Sequence, residues 1–534
     1  YCLDLTFGGV EYHVATEPID IVRDGRVIHY ADGLSDPDYI EESTREGIAE
    51  GNSVPLAVYL DGVDIADQVA RGHRLEAVAG HLFFVFVDRS TGRAGQTYAE
   101  RFALLTGRLS QPVYADPERD VCYLSFTLDD NPGDDVSLLL DPAAVTSRNR
   151  WTTVKPAHEG KPYPVVIGTP GVFRRSNGAA ALTEGSPAYV VVLTGAFATK
   201  LLIAGHHVVA STVTIWDADG DTQSFNVTNE TDGLGYPVAT VDISTPGSIS
   251  NTSSEYWATW NGGGGIRSPF SGSAMAGLGD VCAWSLLRTS LRVAVSKWIA
   301  EAGILNRVKI DTYITAPTLS PWSFVTRLLD PLLVEVRSGP LGLYPLGRVL
   351  NTAMAEGLAL ITEGPECEPI GPVTGRTQLG EVINEVTIRF APRAKTGDYK
   401  RQITITPDPD PSDPEQFADE YCVISANRWS SDPEAPIIQA ETLTLEHIYD
   451  DTSAALIARE LVRTKGLGYS ERPYLAVARL GYLMPGDQFR LDSESLGRVF
   501  LATVLSKRWT GYAWALSLAL DDDPVRISSL KASG

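Results

Sequence analysis

Cysteine is scarce in this sequence. Its 534 residues include five cysteines, and no two of them form a CxxC pair. A zinc ribbon or an iron–sulfur cluster therefore lacks its usual ligand spacing, and a disulfide-stapled secreted scaffold would be far denser in cysteine. We expect scattered buried thiols in a reducing compartment. The five residues are Cys2, Cys122, Cys282, Cys367 and Cys422.

Long apolar runs are also missing. The longest fully apolar stretches, such as residues 82–87 and 190–193, fall far short of the ~18 residues that a membrane-spanning helix needs. The chain starts at Tyr1 rather than at Met, and no basic segment followed by an apolar one comes after it, as a secretory signal would require. We expect no membrane span, and a soluble protein that is made and assembled in a cytosol.

Positive charge is in deficit. Lysine and arginine number 44 against 67 aspartates and glutamates, which gives a formal net charge of −23 at pH 7. Affinity for nucleic acid depends on clustered cations that neutralise phosphates. The composition therefore argues against a protein that grips DNA or RNA.

The abundant residues favour β structure. Hydrophobic residues make up 43% and charged residues 21%, as in ordinary globular proteins, while 48 Gly, 33 Pro and 21 Tyr favour strands with many turns. Short apolar or alternating segments bounded by turn residues recur, for example residues 121–128 and 382–391. The predicted fold class is mainly β with helical inserts (α+β), with several small β-barrel or tube-like and β-sandwich domains. No strict sequence repeat is visible.

Three segments predict helices. Asp280 has the chemistry of an N-cap, and apolar residues recur after it at helical spacing up to Trp298, as one helix or as two. Ser320 and Pro321 start another helix, with a capping side chain and a proline in the first turn. A third helix is predicted over residues 451–465, capped by its first or second residue.

Two segments predict connections between folded parts. Residues 262–265 are four consecutive glycines, which have no side chains to pack and indicate a hinge or linker. Residues 407–415 (PDPDPSDPE) alternate proline with acidic residues. Proline removes backbone donors, the like charges repel, and nothing apolar is present to bury, so this segment also indicates a linker.

A search for chemical motifs predicts no site. Residues 217–221 (DADGD) resemble the start of a calcium loop, but the glycine comes too early and Thr228 stands where the bidentate Glu belongs, so a hairpin turn is the better interpretation. Turns or caps explain the adjacent carboxylates at 129–130, 134–135 and 450–451. We predict no catalytic residue, no cofactor-binding residue, no metal ligand and no cofactor. None of the histidines lies in a metal-binding motif: His13, His29, His73, His81, His158, His206, His207 and His447.

One stretch of the chain resembles a known family. It begins with GLGDVCAWSLL at residues 277–287, continues with PTLSPWSF at 317–324 and GLYP at 342–345, and ends with NEVTIRF at 384–390. In this order the motifs resemble the hub proteins of tailed-bacteriophage tails, the central baseplate and tail-tip proteins that continue the tail tube.

Two further stretches support the same resemblance. The predicted helix over 451–465, the turn at 485–487 and the segment 499–522 are together similar to the small tube-like β domain that closes many hub chains. The sequence YPVVIG at 163–168 also resembles such proteins, less specifically. These motifs are structural, so they transfer no functional residue.

The resemblance implies a structural virion protein and not an enzyme. Its role would be that of a subunit of the tail hub or tail-tip ring, which joins the tail tube to the tip and forms part of the DNA ejection channel. Its partners would be itself, in a ring that is a homotrimer in hub proteins generally, and the adjacent tail-tube, distal-tail and tip or fibre proteins. DNA would be only transiting cargo. Its location would be the tail tip of the virion, after assembly in the host bacterial cytoplasm. Some hubs carry a metal-cluster site or a lytic domain, but the scattered cysteines and the absent acid–base motif argue against both here.

In the terms of that family we divide the chain into five parts. They are an N-terminal β-rich hub domain over 1–160, an inserted β domain over 161–265, a hub domain of helices, a hairpin and a strand over 266–395, an acidic Pro/Asp linker region over 396–436, and a C-terminal tube-like β domain with one helix over 437–534.

Two other hypotheses stay open. A receptor- or carbohydrate-binding (or degrading) tail-tip β protein could stack sugar rings on Trp216, Trp257 or Trp260, although aromatic residues near strands more often belong to the core. An ordinary cytosolic enzyme would need a well-formed pocket with convergent carboxylates or histidines.

Acidity also bears on the passage of DNA. A trimer would carry three times the charge of −23, and acidic groups that line the lumen would repel passing DNA and keep it from adhering. Six acidic residues lie in or beside the predicted linker, where they would instead keep that segment solvated: Asp408, Asp410, Asp413, Glu415, Asp419 and Glu420.

Overall fold

The structure of the chain, a computed structural model, is dominated by β-strands. Several curled sheets and a few short helices make up the molecule, which confirms the predicted class of a β-rich α+β chain. The structure describes residues 1–35, 41–43, 53–61, 68, 70–73, 78–88, 90–91, 93–115, 121–129, 137–175, 180–245, 247–289, 293–332, 334–337, 343–346, 358–376, 379–430, 432, 435–467, 469–483, 487–510 and 512–521.

The strands between residues 2 and 129 form one eight-stranded sheet that closes on itself, called here the N-terminal barrel. It closes where the chain just after the strand Arg26–Asp32 runs beside the strand Ser53–Asp61. There Tyr59 N–H donates to Gly33 O at 2.6 Å, and Ser35 N–H donates to Ala57 O at 2.9 Å. In sheet order the strands are Ile19–Arg23, Arg26–Asp32, Val10–Ala15, Cys2–Phe7, Ala79–Phe84, Phe102–Ala115, Val121–Asp129 and Ser53–Asp61.

A second closed sheet, called here the C-terminal barrel, takes its strands from two distant segments, residues 360–376 and 469–521. A turn with a bridge between Glu363 and Cys367 joins the two ends of the sheet order. In that order the strands are Leu360–Thr362, Gln488–Ser493, Arg498–Trp509, Trp514–Asp521, Tyr469–Ala476 and Cys367–Pro369, with Thr374–Arg376 also on Tyr469–Ala476 and Glu41–Ser43 also on Arg498–Trp509.

Residues 186–260 build a seven-stranded sheet round a core of its own, called here the inserted β unit. Val227 alone separates the two strands at the ends of the sheet order, so the sheet curls back on itself. In that order the strands are Thr222–Asn226, Thr212–Asp217, Tyr256–Trp260, Ser186–Thr194, Phe197–Ala204, Pro237–Asp242 and Thr228–Thr231.

The glycine run at 262–265 is packed, and the prediction of a hinge or linker there is wrong. Gly265 is buried, and its N–H donates to Gly168 O at 2.7 Å. A Cβ on Gly265 would lie 2.1 Å from Val166 O, and Gly264, also buried, has a φ of +75°. Glycine is needed here because two backbone segments touch and the chain turns through the left-handed region.

Helices concentrate in the middle of the chain, where they share one core with a four-stranded sheet; this part is called here the central unit. The apolar stripe that starts near residue 281 is divided between two helices, and residues 290–292 between them lie outside the described ranges. The α-helices are Leu278–Leu286, Val295–Leu305, Pro321–Leu329, Glu420–Trp429 and Asp451–Leu461, and a π-helical turn spans Val462–Gly466.

Helix caps test the sequence predictions directly. Ser320 caps its helix as predicted, since its Oγ accepts the N–H of Ser323 at 3.1 Å. Asp280 is not an N-cap: Gly277 holds that position, and Asp280 lies in the first turn, where its carboxylate accepts Asn306 Nδ2 at 2.9 Å. The helix over 451–461 is capped by the residue before the two predicted, since Asp450 accepts the N–H of Ser453 at 2.8 Å.

Much of the predicted linker region 396–436 is folded. Residues 399–406 form a strand within the four-stranded sheet, and the helix over 420–429 buries Tyr421 and Cys422 in the central core. The run of acidic residues and prolines hid the apolar pattern on either side of it. The strands of this sheet, in order, are Gln416–Ala418, Tyr399–Thr406, Glu385–Pro392 and Ala440–Thr444.

The acidic segment 407–415 itself is a compact turn between two strands of that sheet. The Asp410 carboxylate accepts the backbone N–H of Ser412 at 2.8 Å, and the Asp413 carboxylate accepts that of Glu415 at 2.9 Å. Acidic side chains here order the backbone as turn residues.

Short elements complete the fold. None of the helices in the described part of the chain combines the length and apolar character needed to span a membrane. The two-stranded sheets are Val165–Ile167 with Thr312–Ile314, Val172–Arg174 with Ala180–Leu182, Glu335–Arg337 with Tyr344–Leu346, and Val87–Asp88 with Arg93–Ala94; the 3-10 turns are Tyr98–Glu100, Pro156–His158, Asp330–Leu332, Leu379–Glu381 and Ala478–Tyr482.

Candidate assembly surface

The two barrels pack against each other on a single core. Buried side chains of both belong to one continuous hydrophobic cluster. The ring of Phe84 from the N-terminal barrel stacks on Phe102 at 4.8 Å between centroids and lies 6.5 Å from the ring of Trp514 in the C-terminal barrel. A Cβ on Gly481 would lie 2.7 Å from Trp514 Nε1 and 3.2 Å from Phe84, so only glycine fits between the two rings. This aromatic contact is called here the barrel junction.

Backbone pairing reinforces the barrel junction. The strand Glu41–Ser43 pairs antiparallel with the long strand Arg498–Trp509, with Ser43 opposite Ser506 and Glu41 opposite Arg508. A segment from the first fifty residues therefore extends the sheet of the C-terminal barrel. Since ladder hydrogen bonds and a shared core both cross the junction, the two barrels form one rigid block.

A buried lysine lies at the same place. Lys507 is fully buried, and its Nζ donates to Gly481 O at 2.9 Å and to Leu483 O at 3.0 Å. The same nitrogen lies 4.4 Å from the centroid of the Trp514 ring. A buried ammonium is costly unless it is paired and hydrogen-bonded, so these contacts fix the turn over 478–482 against the barrel.

Large apolar side chains emerge next to the barrel junction. Phe86, 5.6 Å from Phe84 between ring centroids, is 41% exposed, and Tyr482, next to Gly481, is half exposed. Tyr512, two residues before Trp514, is 73% exposed. Exposed apolar side chains grouped round one place mark protein–protein contact sites, and each of these three adjoins a residue of the barrel junction. This face of the joined barrels is the candidate assembly surface.

A buried carboxylate organises the start of the N-terminal barrel. Asp4 Oδ1 accepts the hydroxyl of Tyr30 at 2.8 Å and lies 2.7 Å from His13 Nδ1, and Asp4 Oδ2 accepts the hydroxyl of Tyr98 at 2.7 Å. Burial and the bond to Asp4 raise the pKa of Tyr98 to about 12, so the phenol stays a donor. Arg101 lies 3.7 Å from the centroid of the Tyr98 ring. Sequence reasoning missed this network; the signal was an Asp and a His placed symmetrically about the turn Gly8-Gly9.

The segment just before the inserted β unit, which holds Thr169 and Glu184, meets the central unit through polar contacts, called here the polar junction. Asp311, which is buried, accepts the backbone N–H of Thr169 at 2.6 Å, and burial raises the pKa of its carboxyl to about 6. Arg393 grips Glu184 with two bonds, 2.8 Å from Nε and 2.6 Å from Nη2. Those bonds hold the pKa of Glu184 below its usual value.

Two buried histidines act as hydrogen-bond acceptors for backbone amides. His206 Nε2 accepts the N–H of Val166 at 2.9 Å, and His158 Nδ1 accepts the N–H of Val190 at 2.7 Å. Burial lowers the pKa of each imidazole to about 4, so both rings are neutral at pH 7. Both imidazoles therefore serve to link backbone segments through hydrogen bonds.

A cleft of about 300 Å³ lies beside His447, lined by apolar residues together with Arg327 and Glu446. The imidazole of His447 already bonds the Thr312 hydroxyl through Nδ1 at 2.8 Å and rests against Phe324 at 5.7 Å between ring centroids. One histidine and one carboxylate do not make the convergent set that the enzyme hypothesis needs.

In the described part of the chain, the metal-ligating side chains are scattered and the thiols are buried. Among the described residues, no group of three or more His, Cys, Asp or Glu side chains could hold a metal ion. Burial raises the pKa of Cys2 to about 11 and that of Cys367, which also faces Glu363, to about 12. Cys282 and Cys422 are buried free thiols as well, and the side chain of Cys122 lies outside the described set.

The remaining sequence predictions have mixed outcomes. Residues 217–221 form a hairpin turn as predicted, because the Asp217 carboxylate accepts the N–H groups of Asp219 and Asp221, each at 3.0 Å. Trp257 and Trp260 are buried, and Trp216 is half-buried with its Nε1 bonded to Thr259 Oγ1 at 2.8 Å. Trp257 and Trp260 are therefore buried and offer no open ring face to a sugar, and Trp216 is tied to the sheet by its Nε1 bond.

No protein-family model matches the sequence, and no curated protein matches it. Solved structures with a similar fold include a 43 kDa tail protein of prophage MuSo2 from Shewanella oneidensis (9% identity, 99% of this chain, 100% of that chain, TM-score 0.38). A tail protein from Neisseria meningitidis MC58 is similar over 97% of this chain and 96% of its own (8% identity, TM-score 0.36). A chain in the virion of a native gene transfer agent particle is similar over 71% of this chain and 89% of its own (12% identity, TM-score 0.36).

Proposed function

We propose that the chain is a structural subunit of a phage tail, at the tail hub or tail tip. Copies of it form a ring, a homotrimer, that joins the tail tube to the tip and forms part of the DNA ejection channel. The observation that carries the proposal is the barrel junction, at which two closed barrels from opposite ends of the chain share one core. Closed barrels lack free strand edges, so a block of two suits the wall of a channel that must not aggregate along its sheets.

Open sheet edges elsewhere suit assembly. In the described part of the chain, the strands Gln416–Ala418 and Ala440–Thr444 end the four-stranded sheet, each paired on one side. Unpaired edges template pairing with another chain, and contacts between unlike surfaces of identical subunits close into rings. Neighbouring copies and the adjacent tail-tube, distal-tail and tip or fibre proteins are the partners that this proposal assigns to such edges.

The proposal assigns no catalytic role. The buried titratable groups support a structural one, since Asp4, His206 and Asp311 each hold hydrogen-bond partners within the fold. The protein belongs in the virion, at the tail tip, after assembly in the bacterial cytoplasm. Its charge of −23 suits a wall past which DNA travels as cargo without adhering.

Two measurements test this role. Mass photometry of the full chain should give a ring of three copies, and electron microscopy of labelled tails should place the protein where tube and tip meet. Such a ring should bury more than the ~2,000 Å² that marks obligate interfaces. A chain that stays monomeric in solution and forms no ring in tail particles would overturn the proposal. A neutral or basic lumen would remove only the argument about DNA passage.

A further inference from the structure

The first two hairpins of the chain share one plan. Cys2–Phe7 pairs with Val10–Ala15, and Ile19–Arg23 pairs with Arg26–Asp32. Each pair is joined by a two-residue turn in which both residues have positive φ, as tight hairpins require. The second hairpin repeats the first with a spacing of sixteen residues, a repeat that the sequence alone does not make obvious.

The repeat preserves a pair of side chains. Asp4 faces His13 across the first hairpin, and Asp20 faces His29 across the second. Carboxylate and imidazole meet at nearly the same distance in both, 2.7 Å from Asp4 Oδ1 to His13 Nδ1 and 2.8 Å from Asp20 Oδ1 to His29 Nδ1. The two hairpins therefore present the same Asp–His face.

The first Asp–His face shows what such a surface binds. The second hairpin packs its apolar side, Ile19, Ile21 and Tyr30, in the cluster that covers this face. Asp4 then accepts two tyrosine hydroxyls, from Tyr30 and from Tyr98. The ligand of the first face is an aromatic ring with a hydroxyl at its tip, supplied by a hairpin strand in the case of Tyr30 and by a 3-10 turn in the case of Tyr98.

The second Asp–His face is open. It carries Asp20, Val22, Val27 and His29, with Val22 44% and Val27 66% exposed. In the described part of the chain, His29 is the partner of Asp20, and no tyrosine covers the pair. A cleft of about 230 Å³, which also includes Arg93, Thr97 and Glu100, borders this face and has room for one aromatic side chain.

We propose that the second Asp–His face binds Tyr512 of a second copy of the chain, whose hydroxyl donates to Asp20 as Tyr30 and Tyr98 donate to Asp4. The inference rests on the proposed ring and names one of the contacts that would close it. A contact between the N-terminal barrel of one copy and the C-terminal barrel of the next joins unlike surfaces, which is the arrangement that generates rings.

The position of Tyr512 supports this choice. It lies at 73% exposure in the turn between the strands Arg498–Trp509 and Trp514–Asp521, so a hairpin delivers it, as a hairpin delivers Tyr30. Arg508, exposed at the base of the same hairpin, would approach the acidic side chains Asp20 and Glu100. Complementary charge of this kind fixes the register of a contact and speeds encounter.

Matched single-atom changes test the contact. Tyr512→Phe and Asp20→Asn should each weaken association of the full chain about tenfold in sedimentation velocity, because the first removes the hydrogen bond to a charged group and the second removes the charge that strengthens it. The double variant should be no weaker than the worse single variant, since both changes act on the same bond. Tyr59→Phe and Asp24→Asn are the controls, an exposed tyrosine outside the candidate assembly surface and an acid in the turn of the same hairpin. Additive losses, or losses equal to those of the controls, would overturn the proposed contact.

A crosslink separates this contact from the ring itself. Val27→Cys with Tyr512→Cys should give an interchain disulfide on mild oxidation. Val27→Cys with Leu496→Cys, an exposed position in another turn of the same barrel, should not. A ring that forms without the first crosslink would overturn the contact and leave the proposed function standing. The crosslink in an open chain of copies without ring closure would support the contact and overturn the ring.

Discussion

The chain joins its parts at two junctions that differ in chemistry. At the barrel junction, the rings of Phe84 and Trp514 pack against the backbone of Gly481. The buried ammonium of Lys507 donates to the carbonyl of the same glycine. At the polar junction, Asp311 and the ion pair of Glu184 with Arg393 hold the segment before the inserted β unit to the central unit. The first junction is stabilised by burial of apolar surface, and the second by hydrogen bonds whose strength depends on protonation.

This contrast predicts how each junction responds to conditions. The rings of the barrel junction do not titrate, so its contribution to stability should stay constant between pH 5 and 8. The polar junction and the contact of His206 with Val166 contain groups whose pKa values shift in opposite directions on folding. Burial raises the pKa of Asp311 to about 6 and lowers that of His206 to about 4. Acid should therefore act on one junction and spare the other.

Trp514→Ala should have the largest effect. Deleting a fully buried indole from the barrel junction leaves a cavity between the barrels and removes the ring above Lys507, at a cost of about 3–5 kcal/mol. Urea unfolding followed by circular dichroism at pH 6 and pH 8 would measure the loss, which should be equal at both pH values. Leu496→Ala, an exposed side chain in a turn of the same barrel, is the control and should move the midpoint far less. An unchanged midpoint for Trp514→Ala would mean that the two barrels do not depend on their common core.

Gly265→Ala should rank second and act beside the polar junction. The new Cβ would lie 2.1 Å from Val166 O, so a backbone segment must move, at a cost of about 3 kcal/mol. Gly303→Ala is the matched control, because it adds the same methyl group to the exposed face of a helix with no atom within 4 Å and should stabilise that helix slightly. Thermal melts of the two variants would compare them. Equal melting temperatures would restore the interpretation of the glycine run as a hinge.

How far the sequence predicts such features depends on the range of the interactions. The cap at Ser320 and the hairpin at 217–221 are local, and the residue types that form them were sufficient to predict both. The strand Leu360–Thr362 pairs with residues 490–492, far along the chain, and three residues carry no periodicity, so its place in the C-terminal barrel could not be foreseen. The network at Asp4 could not be predicted for the same reason, because Tyr98 comes from a turn far along the chain.

Caps also show a limit of local reasoning. Asp280 has better capping chemistry than Gly277, yet the helix starts at Leu278 because Asn306 and Ser268 already occupy the Asp280 carboxylate. Contacts with residues outside the helix therefore determine which of two locally acceptable residues begins it. The candidate assembly surface was out of reach in the same way, because exposure of a side chain such as Tyr512 depends on what the rest of the fold covers.

His206→Leu should have the third largest effect, and its size should depend on pH. The variant leaves the N–H of Val166 without its acceptor, at a cost of about 2 kcal/mol near pH 7.5. In the native chain burial keeps the ring neutral, so the stability it contributes is fully present above pH 6.5 and is lost as the pH falls towards 4, where only the unfolded chain has gained a proton. His207→Leu, at the exposed neighbouring position, is the control. If the variant and the native chain lose stability in parallel from pH 7.5 to 5, His206 is not the group that responds.

Asp311→Asn should have the smallest effect and the opposite sign. Burial raises the pKa of this carboxyl to about 6 from an ordinary 3.8, with Arg174 favouring and Asp450 opposing its charge. The stability gained by holding a proton is therefore present below pH 3.8 and lost as the pH rises through 6. Asparagine keeps an oxygen for the N–H of Thr169 and never ionises, so the variant should be more stable than the native chain by about 1 kcal/mol at pH 8 and equal to it near pH 4. Denaturant midpoints at the two pH values would decide. A gain in stability of the same size at both pH values would assign the effect to packing. The pH dependence that separates the polar junction from the barrel junction would then depend on His206 alone.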